Sequence, residues 1–362
     1  MPEAGPLKGR GTAWAIEHRY AKQSAELEDD GWGNLDQQAS EERVAPATQI
    51  IEEHVRSIVS SNDSPDISFD LSINPYRGCE HGCIYCFARP THSYLNMSPG
   101  LDFETRIIAK VNAAQRLRET LAKRGYRPKL LNIGSATDAY QPAERKLRIT
   151  RSVIELLAEC EHPFSLVTKS SGLERDLDLI GPMAERGLAA VYVSVTSLDA
   201  ELSRILEPRA ASPQRRLRTI KTLAEAGVPV GVSVSPVIPF INEPEIERIV
   251  EAAAEAGARS AFSIILRLPW EVNPLFQQWL DQHFPARAAR VMARIRDMRG
   301  GKDYDATFSK RMKGEGVWAE LISQRFRKAC ARHGMNRVRT ELDLTLFRKP
   351  RLPPANGQGE LF

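Results

Sequence analysis

The run Arg77-Gly78-Cys79-Glu80-His81-Gly82-Cys83-Ile84-Tyr85-Cys86-Phe87 gathers three of the chain's five cysteines on one short stretch. The spacing is C-x3-C-x2-C, which supplies three thiolates from one tight loop and no fourth. A four-iron cluster ordinarily takes four cysteine thiolates, at other short-range spacings. A set of three leaves one iron open to an outside ligand, as a catalytic metal site keeps one position free. Gly78 and Gly82 let the backbone close around a bulky group without Cβ clashes. Two other readings of the same residues stand beside this one. Cys79, Cys83 and Cys86 with His81 or His92 would make a closed, tetrahedral Cys3His zinc knot, or the cysteines cluster by chance and bind no metal. His81 and His92 read as local or solvent-facing loop residues rather than ligands.

With an aromatic residue, Tyr85, just before the third cysteine, the spacing resembles the signature of the radical S-adenosylmethionine (SAM) superfamily. The longer stretch from Ser72-Ile73-Asn74-Pro75-Tyr76 to Phe87-Ala88-Arg89-Pro90-Thr91-His92 is similar to the DNA-repair-photolyase-like branch, related to spore photoproduct lyase. The resemblance implies a 4Fe-4S cluster on Cys79, Cys83 and Cys86, its open iron chelated by the amino and carboxylate groups of SAM. It also implies reductive cleavage of SAM to methionine and a 5′-deoxyadenosyl radical that abstracts hydrogen from a substrate. An electron donor such as flavodoxin or ferredoxin goes with that chemistry. The cofactor carries the hard step; the protein binds, orients and excludes water.

Composition fits a large soluble enzyme. At 362 residues, 42% apolar and 27% charged, the chain is ordinary globular material, long enough for one barrel-sized domain with extensions. Its N-terminus lacks the apolar core of a signal peptide, and no apolar run approaches the length of a membrane span. An odd number of cysteines, three of them clustered, argues against a disulfide framework and for a reducing, cytoplasmic setting without a membrane partner. The net charge of +4 hides an asymmetry. Residues 1–60 carry six Lys and Arg against eleven Asp and Glu, whereas residues 287–351 carry eighteen against seven. A basic C-terminal segment is the footprint of a phosphate-bearing partner such as DNA or another nucleic acid, or simply a solvated helix face.

The chain divides into a polar extension at 1–65, a core at 66–270, a basic helical extension at 271–350 and a flexible tail at 351–362. In the extension, Ala47–Ile58 reads as an amphipathic helix. The core alternates apolar strands (Leu71–Asn74, Leu130–Gly134, Phe164–Thr168, Ala190–Val195, Pro229–Pro236, Ser260–Leu266) with helical patterns. These helices are Glu104–Arg124, Ala143–Cys160, Leu173–Arg186, Pro213–Ala226 and Glu243–Ala256. Gly125, Gly187, Gly227 and Gly257 fall where helices want a left-handed terminal residue. Six strand–helix units demand a parallel sheet with right-handed crossovers, either an incomplete barrel or a doubly wound sheet. The resemblance selects the first: an α/β fold, a partial (β/α)6 TIM-like barrel of the radical SAM type with N- and C-terminal extensions.

In barrels the site lies at the C-terminal ends of the strands. After the first strand comes the cysteine loop, in which the resemblance gives the backbone of Tyr85 to adenine. After the second comes Gly134-Ser135-Ala136-Thr137-Asp138. This resembles the element that binds the SAM amino group but departs from the commoner Gly-Gly-Glu, so Ser135, Thr137 and Asp138 must supply the acceptors. Asp138 also reads as a helix cap. Lys169, at the third strand's end, is a counter-charge for a carboxylate or an ordinary exposed lysine. Ser194 and Thr196, at the fourth, offer hydroxyls to the ribose. Arg209, in Glu207-Pro208-Arg209, matches a segment of this branch and suits the SAM carboxylate. No residue is assigned as catalytic, and Tyr76, Tyr85 and Tyr140 are candidates for a radical relay.

Cys160 and Cys330 fall on apolar helix faces, Cys330 continuing a stripe of Trp318, Ile322 and Phe326, and read as small core hydrophobes. The terminal Gln358-Gly359-Glu360-Leu361-Phe362 resembles the peptide by which bacterial DNA enzymes dock on the sliding clamp. The alternative to a radical enzyme is a non-catalytic, zinc- or cluster-stabilised nucleic-acid-binding protein.

Overall fold

The computed structural model of the protein describes residues 7–21 and 46–352. Its strands are β1 (Gln49–Glu53), β2 (Val59–Ser61), β3 (Leu71–Ile73), β4 (Tyr76–Arg77), β5 (Arg106–Lys110), β6 (Leu131–Ile133), β7 (Phe164–Thr168), β8 (Ala189–Ser194), β9 (Val230–Val237) and β10 (Ser260–Ile265). The longer helices are α1 (Ala113–Ala122), α2 (Ile149–Glu159), α3 (Leu177–Glu185), α4 (Pro213–Glu225), α5 (Ile246–Glu255), α6 (Val272–His283), α7 (Pro285–Asp297) and α8 (Gly316–Arg332).

The main sheet runs β10-β9-β8-β7-β6-β3-β2. Its six strands from β3 to β10 are parallel, and each lies beside the next in the chain. The register carries Leu71 onto Leu131, Leu131 onto Phe164 and Phe164 onto Ala189. Strand order equal to chain order, with a helix after most strands, is the winding of a partial (β/α)6 barrel rather than of a doubly wound sheet. The strands read as apolar runs because both faces are covered: Ile73, Leu131, Ile133, Phe164, Leu166, Val191, Val193 and Val232 are fully buried. Gly187, Gly227 and Gly257 take the left-handed conformation after their helices.

Four stretches differ from the sequence reading. Ala47–Ile58 contains no helix: Gln49–Glu53 is β1, paired in parallel with β5, while β4 runs antiparallel on β5's other edge. Glu104–Arg124 is a short helix (Leu101–Thr105), then β5, then α1. β-Branched Ile50, Ile51, Ile107 and Ile108 favour the extended form once a pairing partner is present. Ala143–Cys160 is broken at Arg148, whose φ is +51°. Beyond α8 the chain is not helical. Residues 335–352 run back across the barrel's N-terminal end, where the Asp343 amide donates to Gly187 O (2.9 Å) and the Arg348 amide to Cys160 O (2.8 Å). The clamp-like Gln358–Phe362 lies outside the described residues.

Residues 7–21 pack firmly on the core, with Leu7, Arg10, Thr12 and Ile16 buried. Cys160 and Cys330 are buried in the apolar core, as the helix faces predict. Among the described residues no helix is long and apolar enough to cross a membrane.

Candidate functional site

The cysteine loop leaves β3 through β4 and lies at the C-terminal ends of the parallel strands. Gly78 and Gly82 have φ of +79° and +66°, turns that a side chain would strain. Cys79 packs with Ala88 and Phe103, and Cys83 with Ile84, Tyr85 and Ile16. Cys86, half-buried, borders both groups. Among the described residues no three His, Cys, Asp or Glu side chains converge as ligands of one ion. All the cysteines are free.

Arg89 builds this loop. Fully buried, it donates to Cys83 O (2.9 Å), Gly82 O (3.0 Å), Pro99 O (3.2 Å) and Gly100 O (2.9 Å), and pairs with buried Glu104 at 2.5 Å. Glu104 also accepts from the Gly11 amide (2.8 Å), so the N-terminal segment is tied to the same carboxylate. A Cβ on Gly11 would stand 1.8 Å from the Gly82 carbonyl oxygen, which explains glycine there. His81 and His92 are buried rather than solvent-facing. His92 Nε2 is bonded to Arg106 O at 3.1 Å.

The residues singled out at the strand ends surround the loop, several of them already engaged by the protein. Thr137 Oγ donates to Gly78 O (2.7 Å). Gln141, which the sequence reading passed over, donates to Thr137 Oγ (3.1 Å) and accepts from the Glu80 amide (2.9 Å). Ser135 Oγ accepts from Asn74, whose Oδ1 accepts from the Ala136 amide. Asp138 accepts from Thr168 Oγ (2.7 Å) and from the amides of Lys169 (2.7 Å) and Tyr140 (2.9 Å). His81 Nδ1 lies 3.3 Å from the same carboxylate. Burial works to raise the Asp138 carboxyl, but His81 and these donors hold it well below the usual range. With its lone pairs so committed, Asp138 braces β6 against β7 and the loop.

Opposite lies a buried network centred on Glu207. Tyr85 Oη and Thr196 Oγ both donate to it, Thr196 at 2.5 Å, and Arg216 pairs with it. Arg216 also donates to Ser194 O (3.1 Å). Lys169 Nζ stands 5.9 Å from the Tyr85 ring centroid. Burial would raise the Glu207 carboxyl, but the charges of Arg216 and Lys169 hold it at about 2. Tyr85 is thereby fixed by its hydroxyl, its backbone facing the loop. Arg209 stands apart from this network, its guanidinium 3.1 Å from Glu80 and donating to Thr48 Oγ at 3.1 Å. Glu80 and Gln141 meet across 61 residues, which no local motif marks; Glu207 sits in the segment read for Arg209, and its own role comes from Tyr85, Thr196 and Arg216.

The donor set fits an iron–sulfur cluster. Burial raises the Cys79 thiol well above its ordinary value and pushes Cys83 up to about 12. The protein alone does not hold these thiolates; the charge of bound iron would. Three thiols on one loop can each take one iron of such a cluster and leave the fourth iron open.

The fold and site define an α/β partial-barrel protein with three free cysteines on one loop. Residues 73–253, half of the chain, match the family model described as the radical SAM superfamily, and the chain belongs to that superfamily. It is 36% identical over 226 residues to an uncharacterized protein of Mycobacterium tuberculosis. That match covers 62% of this chain and 66% of the relative, so the chain spans a little under two thirds of the relative's length. An uncharacterized Methanocaldococcus jannaschii protein is 26% identical over 213 residues, 59% of this chain and 76% of its own. Among solved structures, spore photoproduct lyase complexed with dinucleoside spore photoproduct has the same fold. Its TM-score is 0.52 at 17% identity, over 79% of this chain and 80% of that one.

Proposed function

We propose that the chain is a radical SAM enzyme, with Cys79, Cys83 and Cys86 holding a 4Fe-4S cluster and SAM seated between the loop and the strand ends, and that it acts on nucleic acid. When bound, the cluster supplies the electron that cleaves SAM to methionine and a 5′-deoxyadenosyl radical. Tyr85, Thr196 and Ser194 line the side given to adenine and ribose. Lys169 supplies positive charge near the cluster, and Ser135 and Thr137 form the loop opposite. An electron donor such as flavodoxin or ferredoxin and a cytoplasmic, reducing setting fit five free thiols.

The observation that carries the nucleic-acid reading is a set of exposed aromatics beside the cysteine loop. Phe87 directly follows the third cysteine and is 47% exposed, with the Arg267 guanidinium 5.1 Å from its ring centroid. Tyr94 and Trp270 are 65% and 62% exposed, and Arg19 stacks on both, at 5.2 and 4.4 Å. Trp270 has φ of +47°, an uncommon conformation for a bulky residue and one that clusters at ligand sites. Aromatic faces interleaved with guanidinium groups are how single-stranded nucleic acid is held. Spore photoproduct lyase's dinucleoside ligand is of the same chemical class.

The test is anaerobic reconstitution followed by SAM and dithionite, assaying 5′-deoxyadenosine with and without single-stranded and duplex DNA. Deoxyadenosine is expected, and more of it with DNA. Cys83→Ala should abolish cluster colour and cleavage while the barrel stays folded. A reconstituted cluster that yields no deoxyadenosine would leave a binding protein; product insensitive to any nucleic acid would sink the substrate class.

A further inference from the structure

Beside the cysteine loop lies a cavity of about 350 Å³ whose charged lining is basic. Arg145 comes from the short helix after β6, Ser171 from the turn after β7, and Arg209, Ser212, Arg215 and Arg218 from the entry and first turns of α4. No carboxylate and no cysteine lines it, nor do Tyr85, Ser194 or Thr196. It shares His81 and Arg209 with the loop's surroundings, Arg209 being the residue read above for the SAM carboxylate, and holds none of the other residues proposed for the cluster and SAM.

Four guanidinium groups share this space, and only two have an acidic partner. Arg215 is paired by both nitrogens with Glu174, at 2.7 Å each, and Arg209 with Glu80 at 3.1 Å. Among the described residues Arg145 and Arg218 pair with no carboxylate, and both are exposed. Positive charges so placed repel one another unless an anion sits between them. The positive end of α4, thirteen residues long and capped by Ser212, opens on the same space. Hydroxyl groups, a helix N-terminus and guanidinium forks together match the oxygens of a phosphate, each fork able to take two. A volume of about 350 Å³ lies within the roughly 300–1,000 Å³ of small-ligand sites, with room for more than the phosphate.

We infer that this cavity binds a phosphate group of a nucleotide or nucleotide chain and anchors it beside the cysteine loop. The inference deepens the nucleic-acid reading, and rests on it only for the source of the phosphate. With the aromatics at Phe87, Tyr94 and Trp270 receiving bases, the cavity would fix the backbone and so the register of the chain over the loop.

The experiment uses the anaerobically reconstituted full chain, wild type and the double variant Arg145→Gln/Arg218→Gln. The probes are inorganic pyrophosphate, by calorimetry, and a fluorescein-labelled single-stranded oligonucleotide, by anisotropy over a range of salt. Both substitutions are on exposed side chains, and unchanged DNA-independent deoxyadenosine formation verifies that the variant is folded and loaded. Wild type should bind both probes, with pyrophosphate displacing the oligonucleotide. The variant should bind pyrophosphate at least tenfold more weakly, and its salt slope for the oligonucleotide should fall by about one to two. Loss of pyrophosphate binding with the oligonucleotide unaffected would keep the phosphate site and assign it to a free nucleotide. Pyrophosphate bound equally by wild type and variant, or by neither, would overturn the inference. If wild type binds pyrophosphate but not the oligonucleotide, the nucleic-acid reading fails and the phosphate site survives.

Discussion

Arg89 and Glu104 are the pair on which the cysteine loop depends. Each is fully buried, fifteen residues apart, and the guanidinium spends its remaining donors on four carbonyls of the loop and its neighbours. Burial raises the Glu104 carboxyl while the Arg89 charge pulls it down. Removing the guanidinium would strand both a carboxylate and the carbonyls. Arg89→Met should therefore cost about 3–5 kcal/mol, read as a lower midpoint in urea, and should impair iron incorporation; Arg89→Met with Glu104→Leu should recover part of the stability. A single variant as stable as wild type would show that the pair is not what holds the loop. The contrast in legibility is physical. The cysteines were readable because a cluster imposes local spacing, and Tyr85 because it sits within that spacing. Glu104, Gly11, Gln141 and Glu207 were not, because no local spacing shows which partners the fold brings to them and their residue types are common on any surface.

At the level of elements, the six parallel strands were legible because each is a short apolar run between helices of opposite polarity pattern. β1, β4 and β5 were not: all three are five residues or shorter, β1 is largely exposed, and only their mutual pairing distinguishes them from helix. The C-terminal strap was equally hidden, since it has no repeating pattern. Its anchor is aromatic: Phe347 packs against Tyr126 and His162, with centroids at 5.4 and 5.3 Å. Buried His162 is bonded through Nδ1 to Pro163 O (2.9 Å) and through Nε2 to Tyr126 Oη (2.7 Å), which a neutral ring satisfies by donating from Nδ1 and accepting at Nε2. Burial carries its pKa down to about 4. The unfolded chain, titrating near 6.5, then binds more protons than the folded one between those values, so stability falls as pH falls through that window. This ring alone should cost about 2 kcal/mol between pH 7 and 5. His162→Gln should flatten that part of the pH dependence, measured as urea midpoints across the range. An unchanged slope would mean the strap does not keep the ring neutral.

On the scale of the whole molecule, the +11 charge of residues 287–351 is partly spent within the fold. Carboxylates outside the segment take part of it: Arg325 pairs with Glu243 and Glu247, Arg311 with Asp66 and Arg348 with Glu161. Composition could report the excess but not where it faces; only the fold separates charges paired within the molecule from those left to a partner. What the fold leaves to a ligand is more specific and falls into two halves: the exposed rings of Phe87, Tyr94 and Trp270, and the arginine cavity. These two halves ask different things of a ligand, so they can be told apart by measurement. Stacking is largely indifferent to salt, whereas phosphate contacts set the slope of affinity against salt. Trp270→Ala should weaken single-stranded oligonucleotide binding by about 1–3 kcal/mol, roughly five- to 150-fold, without changing that slope. Tyr94→Ala should do the same to a smaller degree, because its exposed ring is the smaller face. Neither should alter deoxyadenosine formation in the absence of DNA, since neither side chain touches the cysteine loop's network. A Trp270→Ala enzyme whose lost affinity came with a shallower salt slope would place that ring against the backbone, not the bases, and would reverse the orientation drawn for the strand.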